Sequence, residues 1–136
     1  MRENGTEPIP PQACWDLLKT SAVGRVALSV RALPAILPVQ YYLDGDEIAM
    51  CLGFFVVPST AVSNAVIAFA ADAIDPVTRA GWTVQVQGTG RVERTLDQQH
   101  DCGEPTAGLI VHLTPAIVSG HQVQLCPFGA ALRGAV

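Results

Sequence analysis

The stretch Gly81-Trp82-Thr83-Val84-Gln85-Val86-Gln87-Gly88-Thr89-Gly90 decides the fold. Trp82, Val84 and Val86 alternate with Thr83, Gln85 and Gln87, the period of two expected of a strand with one face in a core. Gly88 and Gly90 mark a bulge where this strand bends, as closing a sheet into a barrel requires. Upstream, residues 65–71 form an apolar run of strand length, and residues 72–81 read as a long acidic loop. Downstream, residues 95–108 have no periodicity and read as a surface loop. Residues 109–113 predict a strand that Pro115 breaks, and residues 117–125 another, with Val123 and Leu125 inward.

Farther toward the N-terminus the same alternation recurs. Val26, Leu28 and Val30 alternate with Ala27 and Ser29, and a turn at Ala32-Leu33-Pro34 leads into a strand over 36–43. Asp44-Gly45 is a hairpin signal. Ile48, Met50 and Leu52 then alternate with Glu47, Ala49 and Cys51, so these three strands predict an antiparallel meander. Pro38 has no N–H to donate, so its strand has an edge or bulge there with one backbone side free. Pro10-Pro11 opens a helix over 12–20 with Cys14, Leu17 and Leu18 on one face, and Pro58 opens a short helix from Ser59 to about Asn64. Residues 1–10 read as a loose arm and 127–136 as a weak tail. Seven short strands with one helix before them and one among them predict a single all-β domain over 1–136, a small antiparallel barrel.

Composition narrows the function. The 136 residues are 49% hydrophobic and 15% charged, well under the roughly 25% charged of an average soluble chain, and mean hydropathy is +0.32. Such a chain is not disordered. A net charge of −4 argues against general nucleic-acid binding, which needs a basic face. So much apolar surface predicts a partner chain covering part of it. Residues 1–11 lack the apolar segment of a signal peptide, and no run approaches the roughly 18 apolar residues of a membrane span. The expectation is a cytoplasmic protein with no membrane partner. Cys14, Cys51, Cys102 and Cys126 are scattered without a CxxC pair and read as buried or idle thiols. Of His100, His112 and His121, the last two have no carboxylate or second histidine at ligand spacing and read as structural, and no metal is expected. No Lys or Arg lies between Arg31 and Arg79, whereas Asp44, Asp46, Glu47, Asp72 and Asp75 all do.

Four segments then carry a resemblance. Gly24-Arg25-Val26-Ala27, Leu33-Pro34-Ala35-Ile36-Leu37-Pro38-Val39, residues 72–76 and the Gly81–Gly88 stretch occur in the order and spacing of the pyridoxamine 5′-phosphate oxidase-like flavin-binding proteins, particularly actinobacterial ones. The chain resembles that group from about Cys14 to Gly120. The resemblance implies a split β-barrel homodimer that binds FMN, or in sister groups the deazaflavin F420, at the subunit interface. It implies an FMN- or F420-dependent oxidoreductase acting on a small-molecule substrate that the sequence does not specify. On this reading Leu37, Pro38, Val39 and Gln40 form the strand under the flavin ring, with Cys51 beside it. A flat ring needs an apolar slot and a few backbone polar groups to read its edge. Trp82 stands either as a wall near the cofactor or as an anchor of the dimer interface. Gln85 either reaches a ligand across the dimer or is a solvated strand glutamine.

One segment departs from the pattern. Similar proteins carry a Gly-Thr-Lys-like turn that holds the flavin phosphate, and here the stretch is Gly53-Phe54-Phe55-Val56-Val57-Pro58-Ser59-Thr60, apolar at the lysine position. A well-placed charge-assisted donor contributes roughly 1.5–3 kcal/mol, so its loss weakens phosphate binding about ten- to a hundredfold. The hydroxyls of Ser59 and Thr60, the amides at the start of the helix after Pro58, and Arg25 or Arg31 from the neighbouring strand are the available replacements. The competing reading is a cofactor-free family member that keeps the fold as a dimeric binding or interaction protein, with Phe54 or Phe55 filling the groove over Pro38.

Overall fold

The structure, a computed structural model, describes residues 7–52, 57–96 and 108–127. Its elements in chain order are β1 (Glu7–Pro8), α1 (Pro11–Leu18), β2 (Val23–Val30), β3 (Leu33–Asp44), β4 (Glu47–Cys51), a 3-10 turn (Ser59–Ala61), β5 (Val66–Ile74), β6 (Ala80–Leu96) and β7 (Gly108–Gln124). The strands form one antiparallel sheet in the order β1-β7-β4-β3-β2-β5-β6, and β6 pairs back onto β7 to close it. The expected all-β barrel is therefore present. It is split along β7: Ile110 to Leu113 pair with β4, whereas His121 and Gln122 pair with β1.

Several local expectations change, each for a physical reason. Pro115 does not break its strand. It lies opposite Gly88 at a register shift between Gln87 and Gly88, and β7 runs through it. A bulge is one of the few places in a sheet where a missing N–H costs no ladder bond. A Cβ on Gly88 would stand 2.0 Å from the Thr114 carbonyl oxygen, so only glycine fits there. Part of the N-terminal arm is ordered: Glu7 and Pro8 pair with Gln122 and His121, and the Ile9 N–H donates to the Gly120 carbonyl. The acidic loop shrinks to residues 75–79, because β5 and β6 pair as far as Ile74–Gly81. The β2–β3 turn is Arg31-Ala32, with φ of 52° and 65°. Both residues adopt the left-handed conformation that glycine or asparagine usually supplies in a two-residue hairpin. The expected loop over 95–108 overlaps β6 at residues 95–96 and β7 at residue 108, and its remainder lies outside the described residues.

Alternation sets the two faces of the barrel. Val26, Leu28, Val39, Met50, Phe69 and Val86 point inward and are buried. The odd-numbered neighbours on β2 and β6 point outward, as do the even-numbered ones on β3. The helix α1 closes one end. Its Cys14 and Leu18 are fully buried, and the Tyr41 hydroxyl donates to the Leu18 carbonyl at 2.6 Å. The Tyr41 ring meets Phe69 edge-on at 4.8 Å, which ties the cap to the barrel wall.

The helix is seated against Gly120 of β7. A Cβ there would stand 2.5 Å from Cys14 Sγ and 3.3 Å from the Thr83 carbonyl oxygen. Gly120→Ala is therefore expected to destabilise folding by about 1–3 kcal/mol through overpacking. Urea denaturation of Gly120→Ala, Cys14→Ala and the double variant checks this. The predicted result is a favourable coupling of about 1 kcal/mol or more between the two sites, because removing the thiol relieves the clash.

Candidate functional site

β3 is longer than its partner β4, and the mismatch builds a site. The β3–β4 ladder runs from Asp44–Glu47 to Gln40–Cys51 and ends there. Pro38 lies beyond that last pair, so its missing N–H interrupts no bond to β4. The Tyr41 N–H donates to the Ala22 carbonyl. In an antiparallel pair hydrogen-bonded positions recur every second residue. Tyr41 and Val39 thus bond toward β2, and the Pro38 carbonyl points away from it, to a side where no described residue pairs with it.

A cleft of about 420 Å³ opens here, lined by Ala22, Gln40, Tyr42, Cys51 and Ile110 with Ala49 and the adjoining strand backbones. Its lining carries no charged side chain. Gln40 offers an amide, Tyr42 an exposed ring, and the rest is apolar. Burial pushes the Cys51 thiol up from its ordinary pKa, so at neutral pH it is a protonated wall and not a nucleophile.

Of the residues singled out by sequence, Gln40 and Cys51 line the cleft together, on opposed positions of β3 and β4. Arg25 and Pro38 face each other across β2 and β3, one outward row along. That row continues through Ala70 to Gln85 and Ser119, so Gln85 shares the outward face but sits two strands from Arg25. Val39 is a core residue and Leu37 packs half-buried against the core. Neither lines the cleft. Trp82 continues the inward set of Val84 and Val86 and packs against the core, on the face opposite to Gln85. Ser59 and Thr60 are exposed on the 3-10 turn. That turn is three residues long where a helix to Asn64 is expected. Residues 53–56, with the greasy segment and Phe54 and Phe55, lie outside the described residues.

Sequence reading missed the cluster around His112. This side chain is 2% exposed although it points to the outer face. Its Nε2 is 2.6 Å from Glu93 Oε1, and its Nδ1 is 3.4 Å from Glu47 Oε1 and 3.8 Å from Asp44 Oδ2. Arg91 Nη2 donates to Glu47 Oε1 at 2.9 Å, and the Thr114 hydroxyl donates to Glu47 Oε2 at 2.8 Å. The carboxylates arrive from β3, β4 and a second irregularity in β6 between Val92 and Arg94, so no spacing in the chain reveals them. The cluster forms an acidic margin along one end of the cleft. No group of three or more His, Cys, Asp and Glu among the described residues is arranged to hold a metal ion.

Comparison with known proteins fixes the family. The pyridoxamine 5′-phosphate oxidase family profile matches residues 10–121. An uncharacterised protein of Mycobacterium tuberculosis is 32% identical over 119 residues, covering 79% of this chain and 78% of its own length. The chain belongs to the pyridoxamine 5′-phosphate oxidase family. Solved structures share its fold. A FAD-binding protein from Mycobacterium smegmatis superimposes with a TM-score of 0.64 at 23% identity, over 86% of this chain and 97% of that one. A FAD-binding protein from Mesorhizobium loti does so with a TM-score of 0.62 at 14% identity, over 88% and 98%. Within this pyridoxamine 5′-phosphate oxidase family chain, the described residues include no helix long and apolar enough to cross a membrane.

The acidic margin makes a pH prediction. Hydrogen bonds from Thr114 and Arg91 hold the Glu47 carboxyl below its ordinary pKa of 4.5. A carboxyl depressed in the folded state contributes stability above its unfolded pKa, and that contribution is lost as pH falls through the folded value. Arg91→Met is therefore expected to be less stable than wild type at pH 6, with the gap closing below pH 4.5. Urea midpoints measured from pH 6 down to acid check it, and a gap that stays constant contradicts the assignment.

Proposed function

We propose that the chain binds a flavin, as FMN, with the ring lying in the cleft over β3 and β4, and that it acts as an oxidoreductase on a small organic molecule. The observation that carries this reading is the cleft itself, formed where β3 outruns β4. Its volume of about 420 Å³ falls within the roughly 300–1,000 Å³ of small-molecule sites, and its mostly apolar lining with few polar groups is typical of them. Family membership and the FAD-binding proteins that share the fold support the same reading. The deazaflavin F420, with a ring of similar flat shape, is the alternative occupant.

The residues present suit a flat heteroaromatic ring. The Pro38 carbonyl, freed by the end of β4, can accept from a ring N–H, and the Gln40 amide can both donate and accept. Ala49, Cys51 and Ile110 supply a smooth apolar floor, and Tyr42 closes the side toward the acidic margin. A bound flavin supplies the two-electron chemistry. The chain's own contribution is to hold the ring flat, exclude water from one face and keep the Cys51 thiol protonated. The uncharged lining leaves proton exchange to substrate or solvent.

The same reading includes a homodimer. Outward residues Ile36, Ala27, Ala68 and Ile117 form one row across β3, β2, β5, β6 and β7, interrupted only by Gln87. Ile36 is 68% exposed, Ile117 59% and nearby Val66 82%. A largely apolar exposed patch of this kind marks an interaction surface, and a second copy of the chain is the occupant that the resemblance implies.

Two measurements test these proposals. Titration of the purified protein with FMN, and separately with F420, is expected to change the bound ligand's fluorescence to saturation at one site per chain. No change with either ligand contradicts the flavin reading. Ile117→Asp is expected to convert a dimer into a monomer in sedimentation velocity while leaving the circular dichroism spectrum unchanged. Wild-type protein that sediments as a monomer at micromolar concentration contradicts the dimer.

A further inference from the structure

Outward side chains of the barrel fall into rows about 6.7 Å apart along the strands, and the rows around the cleft are sorted by charge. The Gln40–Cys51–Ile110 row and the Tyr42–Ala49–His112–Arg91 row carry the cleft and its border. On one side the Asp44–Glu47 row follows. There Asp44, Glu47 and Glu93 surround His112, and Arg91 is already bonded to Glu47. On the other side lies the Pro38–Arg25–Ala70 row. Arg25 is exposed, and it has no hydrogen-bond or ion-pair partner among the described residues. Its direct neighbours across the sheet, Pro38 and Ala70, have no polar side-chain atom, and the nearest carboxylate on its face, the exposed Asp72 two residues along β5 from Ala70, makes no ion pair with it.

Geometry also separates the two arginines that sequence leaves open. Arg31 sits in the β2–β3 turn, six residues and so roughly 20 Å along the strand from Arg25. An extended arginine spans about 7 Å, which is the distance from the Arg25 row to the Gln40–Cys51 row and about a quarter of the distance from Arg31 to that row. The strands that build the cleft bring no cation of their own, since neither β3 nor β4 contains Lys or Arg.

We propose that Arg25 is the anion anchor of the cleft, so that a phosphorylated ligand lies with its flat ring over Gln40 and Cys51 and its phosphate at Arg25, directed away from Asp44 and Glu47. This rests on the flavin reading and adds to it an orientation and a selectivity. A guanidinium pairs with phosphate oxygens through two parallel N–H donors. The opposite orientation would place a dianion against three carboxylates. The site therefore selects a phosphorylated flavin over the unphosphorylated one, and the selection resides in one residue of β2.

The test compares FMN and riboflavin, which share the ring and differ in the phosphate, on wild type, Arg25→Met and Arg25→Lys by fluorescence titration. Wild type is expected to bind FMN at least about tenfold more tightly than riboflavin, as one charge-assisted pair provides. Arg25→Met is expected to lose about ten- to a hundredfold in FMN affinity and to bind riboflavin within about twofold of wild type. Arg25→Lys should recover part of the FMN loss, because a point charge replaces a bidentate one. Wild-type preference for FMN should also shrink as salt is raised. FMN affinity that survives Arg25→Met, or equal wild-type affinity for the two flavins, overturns the anchor while leaving the flavin reading in place. No binding of either flavin to wild type overturns both. Equal riboflavin binding by the variants shows that the cleft is intact, and Arg25→Gln serves in place of Arg25→Met should the latter melt below wild type.

Discussion

The pairing of β6 with β7 is the constraint on which the rest of the molecule depends. These two strands, Ala80–Leu96 and Gly108–Gln124, are each longer than any other in the sheet. They stay paired along their whole length because the register slips at Gly88 and Pro115. Glycine is required on one side of the slip by the close approach of the Thr114 carbonyl, and proline is tolerated on the other because a bulge leaves a position out of the ladder. The bend lets one strand serve two neighbours. The first part of β7 completes the barrel with β4, while its last part receives β1 and the Cys14 face of α1. Without the slip the sheet would neither close nor split.

From that arrangement the candidate site follows. β4 is short, with five residues against twelve in β3, so among the described residues β3 has no partner on that side just where Pro38 removes a donor. The cleft is a consequence of strand lengths more than of any special residue. Its electrical asymmetry has a separate origin. Cations are absent from the chain between Arg31 and Arg79, which leaves the cleft neutral. Folding then sets Arg25 beyond one end and the Asp44, Glu47 and Glu93 carboxylates beyond the other. A neutral apolar slot between opposite charges is the arrangement on which the proposed binding of a flat ring with one anionic end rests.

The parts of this architecture that were legible in the sequence are those encoded by local period. Strand alternation at Trp82 to Gln87, the meander through Asp44-Gly45 and the bulge at Gly88 are all properties of neighbouring residues, and the structure has them. Gln40 and Cys51, which the resemblance implies as site residues, lie opposite each other on adjacent antiparallel strands and line one cleft. What escaped depends on distant partners. The continuity of β7 through Pro115 needs Gly88 from another strand, and the order at Glu7–Pro8 needs His121 and Gln122. The tight turn at Arg31-Ala32 carries no glycine or asparagine to announce it. The His112 cluster gathers Asp44, Glu47 and Glu93 from three strands. Trp82, read as a cofactor wall or interface anchor, follows the inward parity of Val84 into the core.

The flavin ring is proposed to lie at the edge of β3 beyond Cys51. A crystal structure of the protein grown with FMN tests it most directly. Electron density is expected for the isoalloxazine ring against Gln40 and Cys51, within hydrogen-bond distance of the Pro38 carbonyl. A cleft filled by the protein's own Phe54 or Phe55, or a flavin bound elsewhere on the barrel, would contradict it.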